Sequence, residues 1–373
     1  MLKRFAVSNF RGFASEIELK LDGASDYQFN TNLVSEGFVK NALVYGKNGS
    51  GKTSLLRAMA HIVPVLTDLF FSPTLVSNMD CGNSDSDPTG LAIFTYDLFV
   101  EGEEIIYCFA KDRTGLQYEK VFSQGELVLS TEGGKRYVNE AFFPELKQTA
   151  WANFYDGRIS LVKYLGRSGI KMEHSTLLKI IGFAETFLLV RSVIDGNEFA
   201  GFTTQTGSMV LPLLEPKNLK EFEEFLHNCG VNYHLQVEKT QDPMTPNLKV
   251  VFQKEKRNFF DVASSGTRYL MLVFYWIKKI GDQVSLLCID EFDAYFHDDC
   301  ARFVFELLAK TKCQVILTTH KTALMINHVA RPDVLFNLEN GSISSFSSLA
   351  GDRELREAHN VEKLYRSGAF SRQ

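Results

Sequence analysis

Residues 41–56 read NALVYGKNGSGKTSLL, and this stretch decides the fold. The apolar residues 42–45 predict a buried strand, and the apolar residues after Thr53 predict the start of a helix. Between them lies a loop of the pattern G-x-x-x-x-G-K-T, with glycines at positions 46, 49 and 51. A strand, a glycine-rich turn and a helix in this order are the setting in which a phosphate-binding loop occurs.

The residue types in this loop suit a polyphosphate. Glycines let backbone N–H groups curl round phosphate oxygens, and the helix N-terminus adds its positive end. We expect Lys52 to reach the β- and γ-phosphates and Thr53 to place its hydroxyl on Mg²⁺. The predicted nucleotide-binding residues of this loop are Gly46, Asn48, Gly49, Ser50, Gly51, Lys52, Thr53 and Ser54. The chain is therefore predicted to bind a nucleoside triphosphate.

Composition narrows the class of protein. The 373 residues, 45% hydrophobic and 23% charged, are enough for two or three packed units and argue against global disorder. A net charge of −5 gives the whole protein no electrostatic attraction to nucleic acid or to an anionic membrane. This total charge does not exclude a local strip of basic residues. The six cysteines form no CxxC pair, and neither a signal sequence nor a membrane span is evident. We expect a cytoplasmic protein with reduced thiols and no membrane partner.

The order of predicted elements indicates a mixed sheet. Two strands come first, at residues 2–7 and 17–21, and the helix after the phosphate loop is expected to stop near Pro64. After a loop at residues 78–90, turn residues separate the strands of an antiparallel meander, predicted at residues 91–100, 104–110, 116–122 and 126–130. Helical patterns follow, chiefly at residues 177–194 and 219–229.

These patterns predict four consecutive parts. They are the N-terminal part of the nucleotide-binding domain (1–138), a mainly helical insertion (139–260), the C-terminal part of that domain (261–345) and a helical tail (346–373).

A second group of candidate site residues follows two later strands. Residues 285–289 (SLLCI) predict a buried strand that ends in Asp290 and Glu291. Asp290 is the expected acidic partner of Mg²⁺, and Glu291 is the candidate general base for an attacking water. The next predicted strand, 314–318, ends before His320, which we expect to contact the γ-phosphate or a water. Solvated acids at a strand end and an ordinary surface histidine are the alternatives.

Ser264, Ser265 and Gly266 open another predicted helix, residues 264–276. Hydroxyls and a glycine N–H at a helix start form an anion site, or the serine simply caps the helix. The local sequence leaves both interpretations open.

Taken together, these motifs resemble an ABC-type ATPase of the RecF/SMC/OLD-like branch, in which SNFRGF (residues 8–13) precedes the phosphate loop. VLFNL at 334–338 and YRSG at 365–368 are similar to RloA/AbiLi/AriA-like ATPases of bacterial phage-defence operons. The resemblance implies an α/β fold, a P-loop NTPase with the ABC-ATPase head architecture. Its mixed sheet would be joined by the antiparallel β meander and the helical insertion.

The resemblance also implies roles for individual residues. ATP and Mg²⁺ are the implied cofactors, with Thr53 and Asp290 as metal ligands and Lys52, Glu291 and His320 as the catalytic group. Arg11 matches a residue that lies near the nucleotide. A last set matches the signature motif, which in this family completes the site of the opposite subunit: Ser264, Ser265 and Gly266.

Two family features are harder to match. His297 stands where many members carry an aspartate. The glutamine of the Q-loop has no clear counterpart, because Gln117, Gln124 and Gln148 all precede the helical block.

The first functional hypothesis is an ATPase whose nucleotide state controls assembly into a homodimer or higher homo-oligomer through ATP-sandwiched sites. It would be the sensor or scaffold of an anti-phage defence system, triggered by a phage protein or DNA. The stretch after His320 is shorter than a nuclease domain such as the TOPRIM of OLD-like relatives, so we expect the effector, a nuclease or toxin, to come from a neighbouring gene. The alternative is a RecF/SMC-like DNA-repair ATPase that binds DNA. SNFRGF, SSGT and the unplaced Q-loop disfavour a transporter ATPase.

Overall fold

The computed structural model describes residues 1–69, 75–147, 149–170, 175–193, 196–201, 210–238, 240, 247–280, 283–351, 355, 357 and 360–370. Its strands are β1 (Leu2–Ser8), β2 (Ile17–Lys20), β3 (Val34–Ser35), β4 (Phe38–Val39), β5 (Asn41–Tyr45), β6 (Ala92–Val100), β7 (Glu103–Asp112), β8 (Gly115–Ser123), β9 (Glu126–Glu132), β10 (Lys135–Val138), β11 (Phe187–Val193), β12 (Gly196–Gly201), β13 (Leu235–Glu238), β14 (Asn247–Val251), β15 (Lys256–Asn258), β16 (Leu286–Asp290), β17 (Gln314–Thr319), β18 (Leu335–Glu339) and β19 (Ser342–Ser345). Its α-helices are α1 (Lys52–Ala60), α2 (Ile62–Leu66), α3 (Trp151–Phe154), α4 (Leu161–Arg167), α5 (Thr176–Glu185), α6 (Pro216–Asn228), α7 (Phe259–Val262), α8 (Ser265–Ile280), α9 (Asp298–Ala309), α10 (Phe346–Leu349) and α11 (Val361–Arg366).

One seven-stranded sheet contains the predicted meander. Its order is β10-β9-β8-β7-β6-β1-β2, and every neighbouring pair is antiparallel. Glu101 and Gly102 join β6 to β7 with φ values of 50° and 77°, the left-handed geometry that a two-residue hairpin requires. Gln124 and Gly125 repeat it between β8 and β9, at 49° and 82°. The predicted meander is therefore confirmed.

The second seven-stranded sheet carries the motifs. Its order is β12-β11-β16-β17-β5-β18-β19, and β11, β16, β17, β5 and β18 run parallel. Every residue of β5, β16 and β17 is buried, as expected of parallel strands covered on both faces. Because the carboxyl ends of parallel strands meet at one edge, the phosphate loop and the residues after β16 and β17 lie together.

The segment from 139 to 260 is less helical than expected. It does contain α3 to α7, but the helix predicted over residues 177–194 ends at Glu185, and residues 187–193 form β11 in the central sheet. Strands β13, β14 and β15 form a further three-stranded sheet. The prediction failed because FLLV at 187–190 is uniformly apolar, and such a run does not distinguish a buried strand from a buried helix.

The helix after the phosphate loop does not stop at Pro64. Helix α1 ends at Ala60, and Pro64 lies within the short helix α2. A proline fits there because the first-turn N–H groups of a helix have no partner inside the helix. In the tail, predicted to be helical over residues 346–373, the described part of the chain forms the two short helices α10 and α11.

Helix α1 and one glutamine join the two large sheets. Tyr96 of β6 donates from its hydroxyl to the carbonyl oxygens of Ala58 (3.2 Å) and Met59 (3.0 Å) at the end of α1. The buried Gln314 side chain, at the start of β17, accepts from the Leu2 N–H at 2.8 Å and donates to the Leu2 carbonyl at 2.9 Å. Across the described residues, no helix has both the length and the apolar character that crossing a membrane requires.

Candidate nucleotide-binding site

The phosphate loop runs from the end of β5 to the start of α1. Gly49 and Gly51 have φ values of 80° and 105°, in the left-handed region that disfavours side chains. A Cβ at Gly51 would also lie 2.7 Å from Cε1 of Phe13, so this position has no room for one. Phe13 comes from the SNFRGF segment, which therefore packs directly on the phosphate loop.

Lys52 lies at the centre of the loop. Its Nζ donates to the carbonyl oxygens of Gly46 at 2.7 Å and Lys47 at 3.1 Å, so the loop curls round the ammonium group. Burial lowers the pKa of Lys52, and the nearby Glu291, Asp290 and Asp293 carboxylates oppose that shift. A cation here, ringed by glycine backbone, suits the phosphates of a nucleotide.

Thr53 and Asp290 meet although they are far apart in the sequence. Thr53 Oγ1 donates to Asp290 Oδ2 at 2.8 Å, and the carboxylate is almost fully buried. A hydroxyl and a carboxylate are the hard oxygen donors that Mg²⁺ prefers, so this pair fits the expected metal. Arg191 of β11 also reaches the same oxygen, with Nε 3.3 Å away.

Thr318 positions both acidic residues after β16. Its buried hydroxyl donates to Asp290 Oδ1 at 2.7 Å and accepts from the Glu291 N–H at 2.8 Å. Glu291 has a φ of 48°, which is unusual for a residue with a side chain, and its side chain is exposed. The backbone is therefore held so that the Glu291 carboxylate points outward beside the buried Asp290.

Thr319, the last residue of β17, makes a second connection of the same kind. Its hydroxyl donates to Oδ2 of the buried Asp293 at 2.7 Å. Burial raises the pKa of Asp293, opposed by the hydrogen bond from Thr319. Two successive threonines of β17 thus hold the loop after β16.

His320 is exposed immediately beyond these threonines. It lines a separate cavity of about 690 Å³, not the one beside the phosphate loop. Glu362 and Arg366 of α11 line the same cavity. Its expected contact with the γ-phosphate stays a prediction.

Arg11 lies next to the phosphate-loop helix. Its Nε donates to Ser54 Oγ at 3.2 Å, and its Nη1 donates to Asp80 Oδ1 at 2.9 Å. Asn83 holds the turn by donating from Nδ2 to the Arg11 carbonyl (2.7 Å) and from its N–H to Asn9 Oδ1 (2.7 Å). The structure therefore brings Arg11 to Ser54, one residue after the predicted metal ligand Thr53.

The signature residues lie elsewhere. Ser264 accepts from the Thr267 N–H at 3.2 Å and caps α8, so the local capping interpretation is realised. Ser264 and Ser265 are exposed, and a Cβ at Gly266 would lie 3.1 Å from the Tyr295 carbonyl oxygen. None of the three lines the cavity beside the phosphate loop.

Several residues of the site are not predicted from the sequence. Thr318 is the last residue of the strand predicted at 314–318, and a hydroxyl at that strand end is the signal that could have indicated it. The pattern at 177–194 predicts a helix for Arg191, and the composition of 78–90 predicts a polar loop around Asp80. Of the three candidate Q-loop glutamines, Gln117 and Gln124 lie in the meander, and Gln148 lies outside the described residues.

Comparison with known proteins gives one family match. The model described as "AAA domain, putative AbiEii toxin, Type IV TA system" matches residues 246–327. That span includes the start of α8, Asp290, Glu291 and His320, but not the phosphate loop. No curated protein matches the chain.

The solved structures that match this chain include heads of SMC proteins. The SMC head domain from Thermotoga maritima is 15% identical, with 92% of this chain and 97% of that chain covered and a TM-score of 0.43. An SMC head bound to the C-winged helix domain of ScpA is 13% identical (92% and 96% covered, TM-score 0.47). A head with an extended coiled coil, bound to the C-terminal domain of ScpA derived from Pyrococcus furiosus, is 12% identical (92% and 95% covered, TM-score 0.47).

The topology itself shows the fold class. The phosphate loop follows β5, and the central strand β17 separates β5 from β16, at whose end the acidic pair lies. An antiparallel sheet packs on the other side of α1 through Tyr96. The chain therefore has the fold of a P-loop NTPase with the architecture of an ABC ATPase head.

Proposed function

We propose that the chain is a Mg²⁺-dependent ATPase whose nucleotide state controls its self-assembly. The observation that carries this proposal is the 2.8 Å hydrogen bond from Thr53 to Asp290. It joins the phosphate loop to the acidic strand end, and it places two hard oxygen ligands beside the Lys52 ammonium. Such a grouping is what binding of a metal–triphosphate complex requires.

The chain's own residues then have distinct tasks. Lys52 binds the terminal phosphates, and Thr53 with Asp290 holds the metal. The Mg²⁺ held by Thr53 and Asp290 would supply positive charge to the phosphate oxygens. Glu291 accepts a proton from the attacking water, and Thr318 fixes the backbone from which Glu291 projects.

Glu291→Gln tests the activity. We expect hydrolysis to slow by about a hundredfold or more because the base is lost, while ATP binding is retained. Phosphate release and calorimetric ATP binding measure the two effects. The matched control is Glu140→Gln, at an exposed position near the meander. Unchanged turnover in Glu291→Gln would remove this residue from the mechanism, and a wild-type protein that hydrolyses no ATP would overturn the proposed activity.

A site shared between two copies is the second part of the proposal. It is supported by the exposed position of Ser264 and Ser265 outside the cavity beside the phosphate loop, together with the family resemblance. Bulky residues at the start of α8 would then block the phosphate loop of a neighbouring copy.

Mixing two inactive variants tests the shared site. Lys52→Ala and Ser265→Arg should each be inactive alone, but a mixed dimer would contain one intact site. We therefore expect the mixture to recover a fraction of the wild-type rate, and Ser265→Ala to stay active as the control. A mixture as inactive as its components would contradict the shared site.

The biological role that we propose is the sensor or scaffold of an anti-phage system with a separate nuclease or toxin as effector. It is supported by the resemblance at residues 334–338 and 365–368 and by the toxin–antitoxin description of the family matched at 246–327. Co-expression with the product of each adjacent gene, with phage plating as the readout, tests it. Protection that does not require this chain would contradict the role.

A further inference from the structure

A cavity of about 430 Å³ lies beside the phosphate loop, within the size range of small-molecule sites. Gly51 and Ser54 line it on the side of the phosphate loop. The other walls come from three parts of the chain: Gly12 and Phe13, residues 337–341 at the end of β18 and in the turn after it, and Tyr365 of α11.

The chemistry of this cavity changes from one end to the other. Glycine backbone lines the end at the phosphate loop, and the buried ammonium of Lys52 lies in the same loop, bonded to the Gly46 carbonyl. The end of β18 contributes the uncharged amide of Asn337 and the carboxylate of Glu339, which lies 3.6 Å from the exposed Lys47 ammonium. The turn after β18 contributes the amide of Asn340. A carboxylate disfavours phosphate, whereas amides and carboxylates suit the donor and acceptor groups of a heterocyclic base.

Aromatic packing holds Tyr365 in the wall of the cavity. Its ring packs on Phe346 at 5.5 Å between centroids, and Phe346 packs on Tyr45, which directly precedes the phosphate loop, at 6.2 Å. On another side of α11, Arg366 donates to Thr322 Oγ1 at 2.9 Å and pairs with Glu362 at 2.7 Å. The helix is thus anchored on both sides while Tyr365 lines the cavity.

We propose that the base of the bound nucleotide stacks on Tyr365, which makes the C-terminal helix α11 part of the nucleotide site. This inference rests on the proposed binding of ATP. Aromatic rings and bases stack because both offer flat, polarisable faces. Two aromatic residues line the cavity, and one of them, Phe13, packs on Gly51 of the phosphate loop, which leaves Tyr365 for the base. Helix α11 also bonds Thr322, in the segment after His320, through Glu362 and Arg366. The same helix therefore positions both the ring proposed to stack on the base and the segment after β17.

Calorimetry with two ligands tests this inference. Mg²⁺–ATP carries a base, whereas Mg²⁺–tripolyphosphate carries only the phosphate chain. We expect Tyr365→Ala to weaken ATP binding about tenfold and to leave tripolyphosphate binding unchanged, which also reports that the phosphate site is folded. Tyr365→Phe keeps the ring and should bind ATP like the wild type. Tyr137→Ala, an exposed tyrosine of β10, is the matched control.

The outcomes separate the two proposals. If Tyr365→Ala binds ATP as tightly as the wild type, or loses both ligands equally, stacking on Tyr365 is overturned while ATP binding stands. If the wild-type protein binds neither ligand, the proposed function itself fails, and this inference with it.

Discussion

Arg191 Nε lies 3.3 Å from Asp290 Oδ2. The two residues are direct partners in the parallel register of β11 and β16, so the sheet itself brings them together. That oxygen also accepts the hydrogen bond from Thr53. If Asp290 holds Mg²⁺ as proposed, the Arg191 guanidinium and the metal would both interact with the same carboxylate oxygen.

Arg191→Gln should lower the Mg²⁺ concentration required for ATP binding. Removing a partly exposed ion pair of about 1 kcal/mol frees Asp290 for the metal, which corresponds to about a fivefold change. A Mg²⁺ titration of ATP binding measures it, with Arg136→Gln, an exposed residue of β10, as the control. A higher Mg²⁺ requirement in Arg191→Gln would show that Arg191 assists the nucleotide and does not compete with the metal.

Thr318→Val should damage stability and activity together. The variant keeps the shape of the side chain but leaves the buried Asp290 Oδ1 and the Glu291 N–H without the Thr318 hydroxyl. We expect the free energy of unfolding to fall by about 1–3 kcal/mol and ATP hydrolysis to slow. Urea unfolding and phosphate release report the two effects. Thr318→Ser retains the hydroxyl, and a loss as large as that of the valine variant would contradict this explanation.

Lys52→Ala should lose ATP binding because it removes the buried ammonium that faces the phosphates. Calorimetry measures the loss, and thermal unfolding shows whether the fold survives. Lys47→Ala is a matched control, since Lys47 lies in the same loop but its side chain is 82% exposed. Equal losses in both variants would mean that overall loop charge, and not the position of Lys52, determines binding.

The stability of the protein should fall as the pH drops below about 6.5 because of His61. This buried ring stacks on Phe94 and lies 3.3 Å from the Lys111 ammonium, and burial together with Lys111 holds the pKa of His61 well below its usual value. Below about pH 6.5 the His61 imidazole is protonated in the unfolded chain but stays neutral in the folded protein. Protonation therefore stabilises the unfolded state relative to the folded one.

We expect this group to remove about 1.4 kcal/mol of unfolding free energy per pH unit, from about pH 6.5 down to the folded pKa. Urea unfolding at pH 7 and pH 5.5 measures it. His61→Gln keeps an acceptor for Lys111 but does not titrate, so its pH dependence should be flatter. Identical pH dependence in both proteins would exclude His61 as the cause.

The sequence predicted those parts of the site that depend on local pattern. The phosphate loop between β5 and α1 and the acidic residues after β16 each follow from a short run of residues with its own signature. The hairpin turns at residues 101–102 and 124–125 could also be predicted, because a glycine in a two-residue connection between strands specifies this turn.

The residues that the sequence did not predict owe their positions in the site to tertiary contacts. Arg191 reaches Asp290 only because β11 joins the central sheet, and the apolar run before it has no period that distinguishes strand from helix. Asp80 accepts a hydrogen bond from Arg11, which is 69 residues away in the sequence. Tyr365 of α11 lines the cavity beside the phosphate loop, although the two are far apart in the chain. Such distances in sequence leave no local signal.

The position of Gln314 has a mechanical consequence. Strand β17 begins at this residue, which is bonded to the first strand of the meander sheet, and ends at the threonines that hold the acidic loop. A strand of six residues is a nearly inextensible rod of about 20 Å. We therefore expect a displacement of β17 at its nucleotide end to move the meander sheet by nearly the same amount. A surface far from the phosphate loop would then differ between the nucleotide-bound and the nucleotide-free protein.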